Sequence, residues 1–311
     1  MSTSTGAKNL ILGLSEGLTW TQVRPFVESL KRTSFAGDLH LFVGRTDAET
    51  IDVLRSEGVI LHPYRHLRYE RNGRIYDAYD PPLRRFRLSR ITPLYAPLIR
   101  TLSNLSTDRL RTAARLAAPI SIPHVARYFR FYRFLADTAN HAYENVMLTD
   151  VYDVFFQRDP FDFDIGEDVH VFLEDERQTL GSERYHRDWL RIAYGEETLR
   201  QLGDKAISCS GITIARCDAI LTYLRVMTEE LLKLPRQTVG IDQGVHNYVI
   251  HKHLLPRVRL VRNGAGAVLT VAQVPPDEID RAIDDGRVDS NAVHQYQHHA
   301  RLKEVLLNRL V

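Results

Sequence analysis

The stretch Val146-Met147-Leu148-Thr149-Asp150-Val151-Tyr152-Asp153-Val154 decides the fold that this sequence predicts. It begins as an apolar run, which predicts a buried strand, and it ends on two carboxylates. In an open α/β sheet, the carboxyl ends of the strands form the edge where ligands bind. Residues three apart on a strand point to opposite faces, so Asp150 and Asp153 converge only if the chain turns between them. The alternative is a turn-capping Asp beside an unrelated surface acid.

Outward from this stretch, short apolar runs alternate with segments of helical periodicity. The runs that predict strands are 9–14, 38–43, 59–62, 145–148, 169–173, 206–215 and 258–261. The segments that predict helices are 20–31, 48–57, 124–142, 177–205, 218–232 and 242–251. Buried strands that alternate with amphipathic helices favour a mostly parallel sheet with helices on both faces. The sequence therefore predicts a doubly wound, Rossmann-like α/β fold.

The composition is that of a folded globular protein and argues against several other classes. Of 311 residues, 44% are hydrophobic and 26% are charged, and the formal net charge is only +2. These values argue against intrinsic disorder and against a partner selected by bulk charge, as in a histone-like DNA binder. Two cysteines are too few for a disulfide scaffold or a cysteine-based zinc site, so a reduced compartment is expected. We expect neither a secretory signal nor a membrane span, which needs about 18 uninterrupted apolar residues.

Arginine is concentrated in one region. Of the 41 basic residues, 15 are arginines between Arg65 and Arg133, where only four acids occur. The segment 65–123 is rich in proline and predicts an Arg-rich insertion of irregular or short helical structure, of the kind that often forms lids or binding loops. The arginines form either a solvated basic surface or a surface for an anionic partner. Interleaved aromatics such as Tyr69 and Tyr76 could stack on bases or sugars.

Three further clusters carry side chains suited to ligand binding. The His-rich segment 294–299 offers imidazoles, which are good ligands for Mn²⁺, although histidine runs also occur on plain surfaces. Asp242 and Gln243 lie near the start of a predicted helix, where they either cap the helix or contact a ligand. Gly211 follows Ser210 and interrupts a strand, either for the close approach of a ligand or for a bulge.

The order of these clusters resembles that of a known family. An Asp pair on a strand, a strand ending in Ser-Gly, an Asp-Gln pair and a late histidine occur in this order in GT-A-fold glycosyltransferases that use a nucleotide-diphospho-sugar. The chain is similar to the type of glycogenin and the lipopolysaccharide galactosyltransferases, and to bacterial sequences with TDxxDVxFQxDPF and VHQYDRH segments. Here these segments read TDVYDVFFQRDPF at 149–161 and VHQYQHH at 293–299. The resemblance covers nearly the whole chain, and 150–161 is its most specific part.

The resemblance implies a metal site. In that family a D-x-D pair holds Mn²⁺, whereas this chain has D-x-x-D, which one inserted residue reconciles with the family pattern. Asp153 is expected to be a direct ligand of Mn²⁺ or Mg²⁺. Asp150 is expected to be a ligand or a ribose contact, and His294 to complete the site. The metal would neutralise the departing nucleoside diphosphate.

The resemblance also implies contacts with the donor sugar. Asp242 and Gln243 match an acid–amide pair that lies by the donor sugar and the reacting face. Ser210 and Gly211 match the end of a motif that contacts the sugar, in which Cys209 here replaces an asparagine.

The nucleotide and its phosphates have their own expected contacts. The residues expected near the base lie in the loop of the first strand: Gly13, Leu14, Ser15 and Glu16. An arginine on the helix before the metal strand usually touches the donor, and by spacing Arg133 fits slightly better than Arg127. The family's G-x-x-K-P-W segment is missing, and Arg301 and Lys303 are the nearby cations that could replace its lysine.

The implied reaction is metal-dependent transfer of a sugar to an acceptor hydroxyl. The resemblance favours retention of configuration, whereas inversion needs a carboxylate base, for which Asp242 and Asp175 are the candidates. A UDP-sugar donor is favoured and a GDP-sugar is possible. The acceptor is expected to be a cell-envelope glycan, a lipid-linked intermediate or a small molecule, and no nucleic acid is expected as a partner.

Because Asp153 and His294 must meet across almost half the chain, we expect 1–311 to form one GT-A-like domain. In this domain, segment 263–311 is expected to close over the donor site. Segment 65–133 is expected to cover the acceptor side, or to contact the inner membrane of a bacterium from its cytoplasmic face. Two other functions stay open. A sugar-nucleotide nucleotidyltransferase needs a basic phosphate loop, but 13–19 contains neither Arg nor Lys. A non-catalytic protein could bind an anionic polymer or a membrane surface through 65–133, without Mn²⁺.

Overall fold

A computed structural model describes residues 8–71, 74–77, 92–137, 140 and 142–311. The polar residues 1–7 and the turn-rich segment 79–82 lie outside the described residues. None of the helices in the described ranges has the length and apolar content of a membrane span.

The strands and helices follow the predicted alternation. The strands are β1 (Lys8–Glu16), β2 (Asp38–Gly44), β3 (Ile60–Pro63), β4 (Arg68–Arg71), β5 (Arg74–Asp77), β6 (Tyr143–Thr149), β7 (Val154–Phe156), β8 (Val169–Leu173), β9 (Ser208–Arg216), β10 (Val258–Val261), β11 (Val268–Thr270) and β12 (Ala292–His294). The α-helices are α1 (Trp20–Lys31), α2 (Ala48–Ser56), α3 (Thr92–Ser103), α4 (Arg109–Ala117), α5 (Pro123–Leu135), α6 (Arg184–Leu202), α7 (Cys217–Leu231), α8 (Ile241–His251), α9 (Pro276–Asp284) and α10 (Ala300–Asn308). The predicted helix 177–205 starts later than expected because Glu183 caps α6 by accepting a hydrogen bond from the His186 N–H.

A seven-stranded sheet in the order β10-β8-β9-β6-β1-β2-β3 positions the site. β1 is parallel to β2 and β6, β2 to β3, and β8 to β10, whereas β9 runs antiparallel to both of its neighbours. The predicted mostly parallel sheet is therefore confirmed. Because β1 and β6 are adjacent and parallel, their carboxyl ends at Glu16 and Thr149 lie at the same edge of the sheet.

Helices cover both faces of this sheet because successive strand residues are apolar. Leu10 and Leu12 of β1 belong to the core formed with α4, α5, α7 and α8, whereas Ile11 belongs to the core formed with α1. Met147 of β6 lies in the same core as Ile11. All four side chains are fully buried. Burial of one such side chain contributes about 1.5–3 kcal/mol.

A second sheet, in the order β11-β12-β7, joins segment 263–311 to the residues after β6. Phe155 of β7 packs with Val293 of β12 and with Leu302 and Leu306 of α10. Phe156 belongs instead to the core formed with α1. The sequence does not predict these three strands because three residues are too few to show an alternation.

The described part of the insertion 65–123 contains the short helices that were expected, α3 and α4, and also a hairpin that was not. β4 and β5 pair in antiparallel register, with the rings of Tyr69 and Tyr76 stacked at 5.7 Å between centroids. Arg68 Nε donates to Asp77 Oδ1 at 3.1 Å across the same pair of strands. Each strand has only four residues and no apolar alternation in its sequence, so the sequence does not predict these strands.

Candidate metal centre and adjoining cavity

The two carboxylates of the stretch 146–154 line one cavity because the chain turns between them. β6 ends at Thr149, residues 150–153 bend, and β7 begins at Val154. The Asp150 N–H donates to the Gly211 carbonyl oxygen at 2.7 Å and ties the start of the bend to β9. The chain therefore makes the turn that the two carboxylates need in order to converge.

His294 reaches these carboxylates from the other end of the chain. β12 pairs in antiparallel register with β7, which sets His294 opposite Val154. Gln295 follows with a φ of 63°, and its N–H donates to the Asp153 carbonyl oxygen at 2.7 Å. His294 Nε2 lies 3.6 Å from Asp150 Oδ2 and 3.7 Å from Asp153 Oδ1. One ligand atom from each of these three residues lies within 4.8 Å of the other two.

The three side chains fit a divalent cation. His294 is 1% exposed, and neither of its ring nitrogens has a hydrogen-bond partner in the described part of the chain. A buried imidazole without a partner is costly, and coordination of a cation would satisfy one of its nitrogens. Carboxylate oxygens and an imidazole nitrogen together suit Mn²⁺, and the carboxylates suit Mg²⁺ as well.

Gly211 provides the space for this cluster. A Cβ at this position would lie 2.6 Å from both Asp150 Oδ2 and His294 Nε2. These distances are well inside van der Waals contact, so a larger residue would displace one of the two side chains. Gly211 lies inside β9 and does not interrupt the strand; its lack of a side chain allows the close approach of two side chains to the backbone.

Arg127 on α5 joins two carboxylates. Its Nη1 bonds Asp150 Oδ1, and its Nη2 donates to Asp242 Oδ2 at 2.7 Å. The same Nη2 lies 3.3 Å from the carbonyl and hydroxyl oxygens of Ser210. Asp242 is 2% exposed, and its Oδ1 has no hydrogen-bond partner within the described ranges. Charge-assisted bonds of this kind are strong, so the guanidinium fixes these groups relative to one another.

The electrostatics of the cluster favour a bound positive charge. Burial acts to raise the pKa of Asp150, but the Arg127 guanidinium and the His294 imidazole hold that pKa well below its usual range. Burial raises the pKa of Asp153 above its usual value. Burial acts to lower the pKa of His294, but Cys209 and the two carboxylates together raise it well above the ordinary range. Asp150 therefore stays ionised, while Asp153 and His294 hold protons more readily than isolated side chains do.

Gln243 is bonded to groups behind the carboxylates. Its Nε2 donates to Glu174 Oε1 at 2.7 Å and lies 2.5 Å from His186 Nε2, and its Oε1 lies 3.8 Å from Cys209 Sγ. Glu174 and His186 are both buried, and neither was among the predicted site residues. The available signal was the run of acids after β8, of which the sequence favours Asp175.

A cavity of about 400 Å³ adjoins the cluster at the carboxyl edge of β1 and β6. It is lined by Leu14, Glu16, Leu18, Arg45, Pro123, His124, Arg127, Asp150, Val151, Tyr152 and Asp153. This volume is typical of a small-ligand site. Leu14 is thus placed at the cavity, whereas a Cβ on Gly13 would lie 2.5 Å from Val151 Cγ2, and Ser15 is fully buried.

Several of the predicted residues are not joined to the cluster by any hydrogen bond or ion pair among the described residues, including Arg133, Asp175 and Lys303. Arg133 lines a separate, arginine-rich cavity, so it is Arg127 that the structure brings to the carboxylates. Both oxygens of Asp175 accept hydrogen bonds from Arg177, which lower the pKa of Asp175. Lys303 lies on α10, where its N–H donates to the His299 carbonyl oxygen at 2.9 Å.

Tyr152 and His124 are among the cavity residues that were not predicted. Tyr152 lies between Asp150 and Asp153 in the sequence, lines the cavity and is 43% exposed, so its ring is available for stacking. His124 lies on α5, three residues before Arg127, and three-residue spacing places both on one side of the helix. The available signals were the position of Tyr152 inside the D-x-x-D stretch and the helical spacing from Arg127.

Comparisons with known proteins find a likeness in structure. No family model matches the chain, and no curated protein does so. The apo structure of WbbM, a bifunctional glycosyltransferase, is similar with a TM-score of 0.55 and 9% sequence identity, over 100% of this chain and 51% of that one. The chain therefore spans about half the length of that protein. At this identity the likeness shows the fold, which is the GT-A-like α/β fold of a glycosyltransferase.

Proposed function

We propose that this protein is a glycosyltransferase that uses a divalent cation to move a sugar from a nucleotide-diphospho-sugar to an acceptor hydroxyl. The observation that carries the proposal is the meeting of Asp150, Asp153 and the unpartnered His294 beside a cavity of about 400 Å³. The shared fold agrees with the proposal but leaves the chemistry open. The proposed chemistry follows from these side chains.

Asp150, Asp153 and His294 would hold Mn²⁺ or Mg²⁺. When bound, the cation supplies positive charge that stabilises the departing nucleoside diphosphate. Arg127 lines the same cavity and adds a fixed guanidinium, which its bonds to Asp150 and Asp242 keep in one orientation. Fixed charge aimed at the leaving group is the kind of interaction that contributes most to such a reaction.

Asp242 is proposed to orient the donor sugar together with Ser210. Its Oδ2 is held by Arg127, which leaves Oδ1 to accept a hydrogen bond from a sugar hydroxyl. Asp175 is a poor candidate base because Arg177 binds both of its oxygens, so Asp242 would serve if the reaction inverts. We propose retention, on the resemblance given above.

The base of the nucleotide is proposed to lie in the part of the cavity near the end of β1. Leu14, Leu18 and Tyr152 give that part an apolar and aromatic lining. Gly13 and Ser15 are then packing positions behind it rather than direct contacts. We propose a UDP-sugar as donor and a glycan or a lipid-linked molecule as acceptor, with 1–311 acting as one catalytic unit because 263–311 supplies His294.

The test is turnover of a UDP-sugar with Mn²⁺ and with a chelator, by wild-type protein, by Asp153→Asn and by Asp218→Asn. Asp218 is an exposed carboxylate on α7 and serves as the matched control. Loss of a metal ligand is expected to lower kcat/KM by about 100-fold or more, because even residues that only orient ligands contribute about 10–100-fold. Full activity in chelator, or in Asp153→Asn, would contradict the proposal.

A further inference from the structure

A second cavity, of about 510 Å³, lies between the end of β3 and helices α4 and α5. Five arginines line it: Arg65, Arg111, Arg115, Arg130 and Arg133. Asp137 is its one acidic lining residue in the described ranges. Its remaining lining includes the rings of Phe42, Tyr64 and Phe134. The Leu67 N–H donates to the Pro119 carbonyl oxygen at 2.7 Å, which fixes the chain that carries Arg65 to the chain after α4.

Most arginines of this pocket have no counter-ion among the described residues. In the described part of the chain, no carboxylate lies within ion-pair distance of Arg65, Arg115 or Arg133, and Arg111 contacts Asp137 at 3.4 Å. Burial, Arg115 and Arg111 lower the pKa of Arg133, so like charges crowd it. Such an arrangement is unfavourable unless an anion from outside the chain completes it.

Arg130 is the most buried of the five and is held in place. Its guanidinium lies 3.9 Å from the centre of the Tyr64 ring, and its Nη1 donates to the Ala118 carbonyl oxygen at 3.3 Å. Its Nε has no hydrogen-bond partner among the described residues. A guanidinium that is held in one orientation in the lining of a preformed pocket is suited to recognition of an oxyanion.

We propose that this basic pocket binds a phosphate- or diphosphate-bearing group at a site separate from the donor cavity. Guanidinium forks match the oxygens of a phosphate, and several around one cavity match a group of more than one negative charge. The two cavities share no lining residue, and the Tyr64 hydroxyl in the lining of the basic pocket donates a hydrogen bond to Glu16 in the lining of the donor cavity. The shared chemistry is the phosphate, whether a soluble molecule or a lipid headgroup carries it.

The first experiment titrates inorganic pyrophosphate into the full chain by calorimetry, with EDTA present so that no metal contributes. The double variant Arg115→Gln/Arg133→Gln is expected to bind about tenfold to 100-fold more weakly than wild type, since bonds to charged groups are individually strong. The control Arg259→Gln removes an exposed arginine of β10 and is expected to bind as wild type. Thermal unfolding checks the fold; because two like charges are removed, the double variant is expected to melt at or above the wild-type temperature.

Asp153→Asn separates this proposal from the proposed function. It is expected to keep full pyrophosphate binding even where it loses turnover, because Asp153 lies outside the basic pocket. Absence of pyrophosphate binding by the wild type, or equal binding by the double variant, would overturn the site whatever the outcome for turnover.

The second experiment identifies the carrier of the phosphate. Sedimentation with vesicles of anionic phospholipid and with neutral phosphatidylcholine vesicles compares wild type with the double variant. Binding to anionic vesicles that pyrophosphate displaces and the double variant lacks supports a headgroup. Pyrophosphate binding without vesicle binding supports a soluble phosphorylated molecule. Vesicle binding that the double variant retains in full would count against this pocket as the phosphate site.

Discussion

In the cavity beside Asp150 and Asp153, opposite charges are joined through Arg127, whereas in the basic pocket beside Arg115 and Arg133 like charges face one another. Beside the first cavity, the ring nitrogens of His294 have no hydrogen-bond partner among the described residues. In the second, Arg115 and Arg133 have no carboxylate within ion-pair distance in the same ranges. Both stand at helix α5, which carries Arg127 toward one cavity and Arg130 and Arg133 toward the other.

The two cavities differ in what their arginines do. Arg127 stabilises the fold through ion pairs, whereas Arg133 is available to bind a ligand. Arg127 is bonded at both ends of its guanidinium to buried or half-buried carboxylates, so its removal harms the fold itself. Arg133 has no such partner within the described ranges, so its removal leaves the fold intact. A pair of arginines six residues apart on one helix is thus expected to behave in opposite ways.

The largest expected effect comes from Arg127→Met. This variant leaves Asp242 buried without its counter-ion, which costs about 3–5 kcal/mol for a buried pair broken on one side. Arg133→Met is the matched control and is expected to change the free energy of unfolding by less than about 0.5 kcal/mol. Urea denaturation of both variants measures the contrast. Equal destabilisation would remove the distinction between the two arginines.

A smaller loss is expected from Gly211→Ala. The added methyl group meets Asp150 and His294, and overpacking of this kind costs about 1–3 kcal/mol. Mn²⁺ binding, followed by electron paramagnetic resonance, is expected to weaken together with stability. Unchanged Mn²⁺ affinity would show that the cluster does not depend on the space that this glycine provides.

The smallest effect concerns pH on the side of the basic pocket. Burial, followed by the neighbouring His62, lowers the pKa of His40 to about 4, against the opposing effect of Asp38. The unfolded chain therefore takes up a proton below about pH 6.5 that the folded chain refuses until about pH 4, so stability falls as pH drops through this window.

His40→Gln removes this contribution. The difference in the free energy of unfolding between pH 7 and pH 5 is expected to be smaller in the variant than in wild type. A variant with the same pH dependence as wild type would mean that other groups account for the loss.

Much of the fold follows from the sequence, because central strands such as β8 are buried on both faces and are apolar runs in the sequence. The predicted strands 169–173 and 258–261 coincide with β8 and β10. The three-residue strands β7 and β12 do not follow, since they carry no periodicity of their own, although they bring His294 to Asp153. The convergence of these two residues was predicted from the motif order and not from any local signal.

The choice between neighbouring candidates could not be made from sequence. Arg127 and Arg133 are six residues apart, which places them on different sides of a helix, and the packing of α5 decides which side meets the carboxylates. Glu174 and Asp175 follow a strand directly, and the direction of each side chain depends on how the chain leaves β8. In each case the deciding contact comes from an element distant in the sequence.

The central claim is that Asp150, Asp153 and His294 bind a cation that in turn binds a nucleoside diphosphate. Thermal unfolding of the protein with UDP, in Mn²⁺ and in chelator, tests it most directly. A ligand at 100 times its Kd stabilises the folded state by about 2.7 kcal/mol, which gives a measurable rise in Tm. We expect UDP to raise Tm only with Mn²⁺, and we expect Asp153→Asn to abolish the rise. An equal rise in chelator, or none with Mn²⁺, would contradict it.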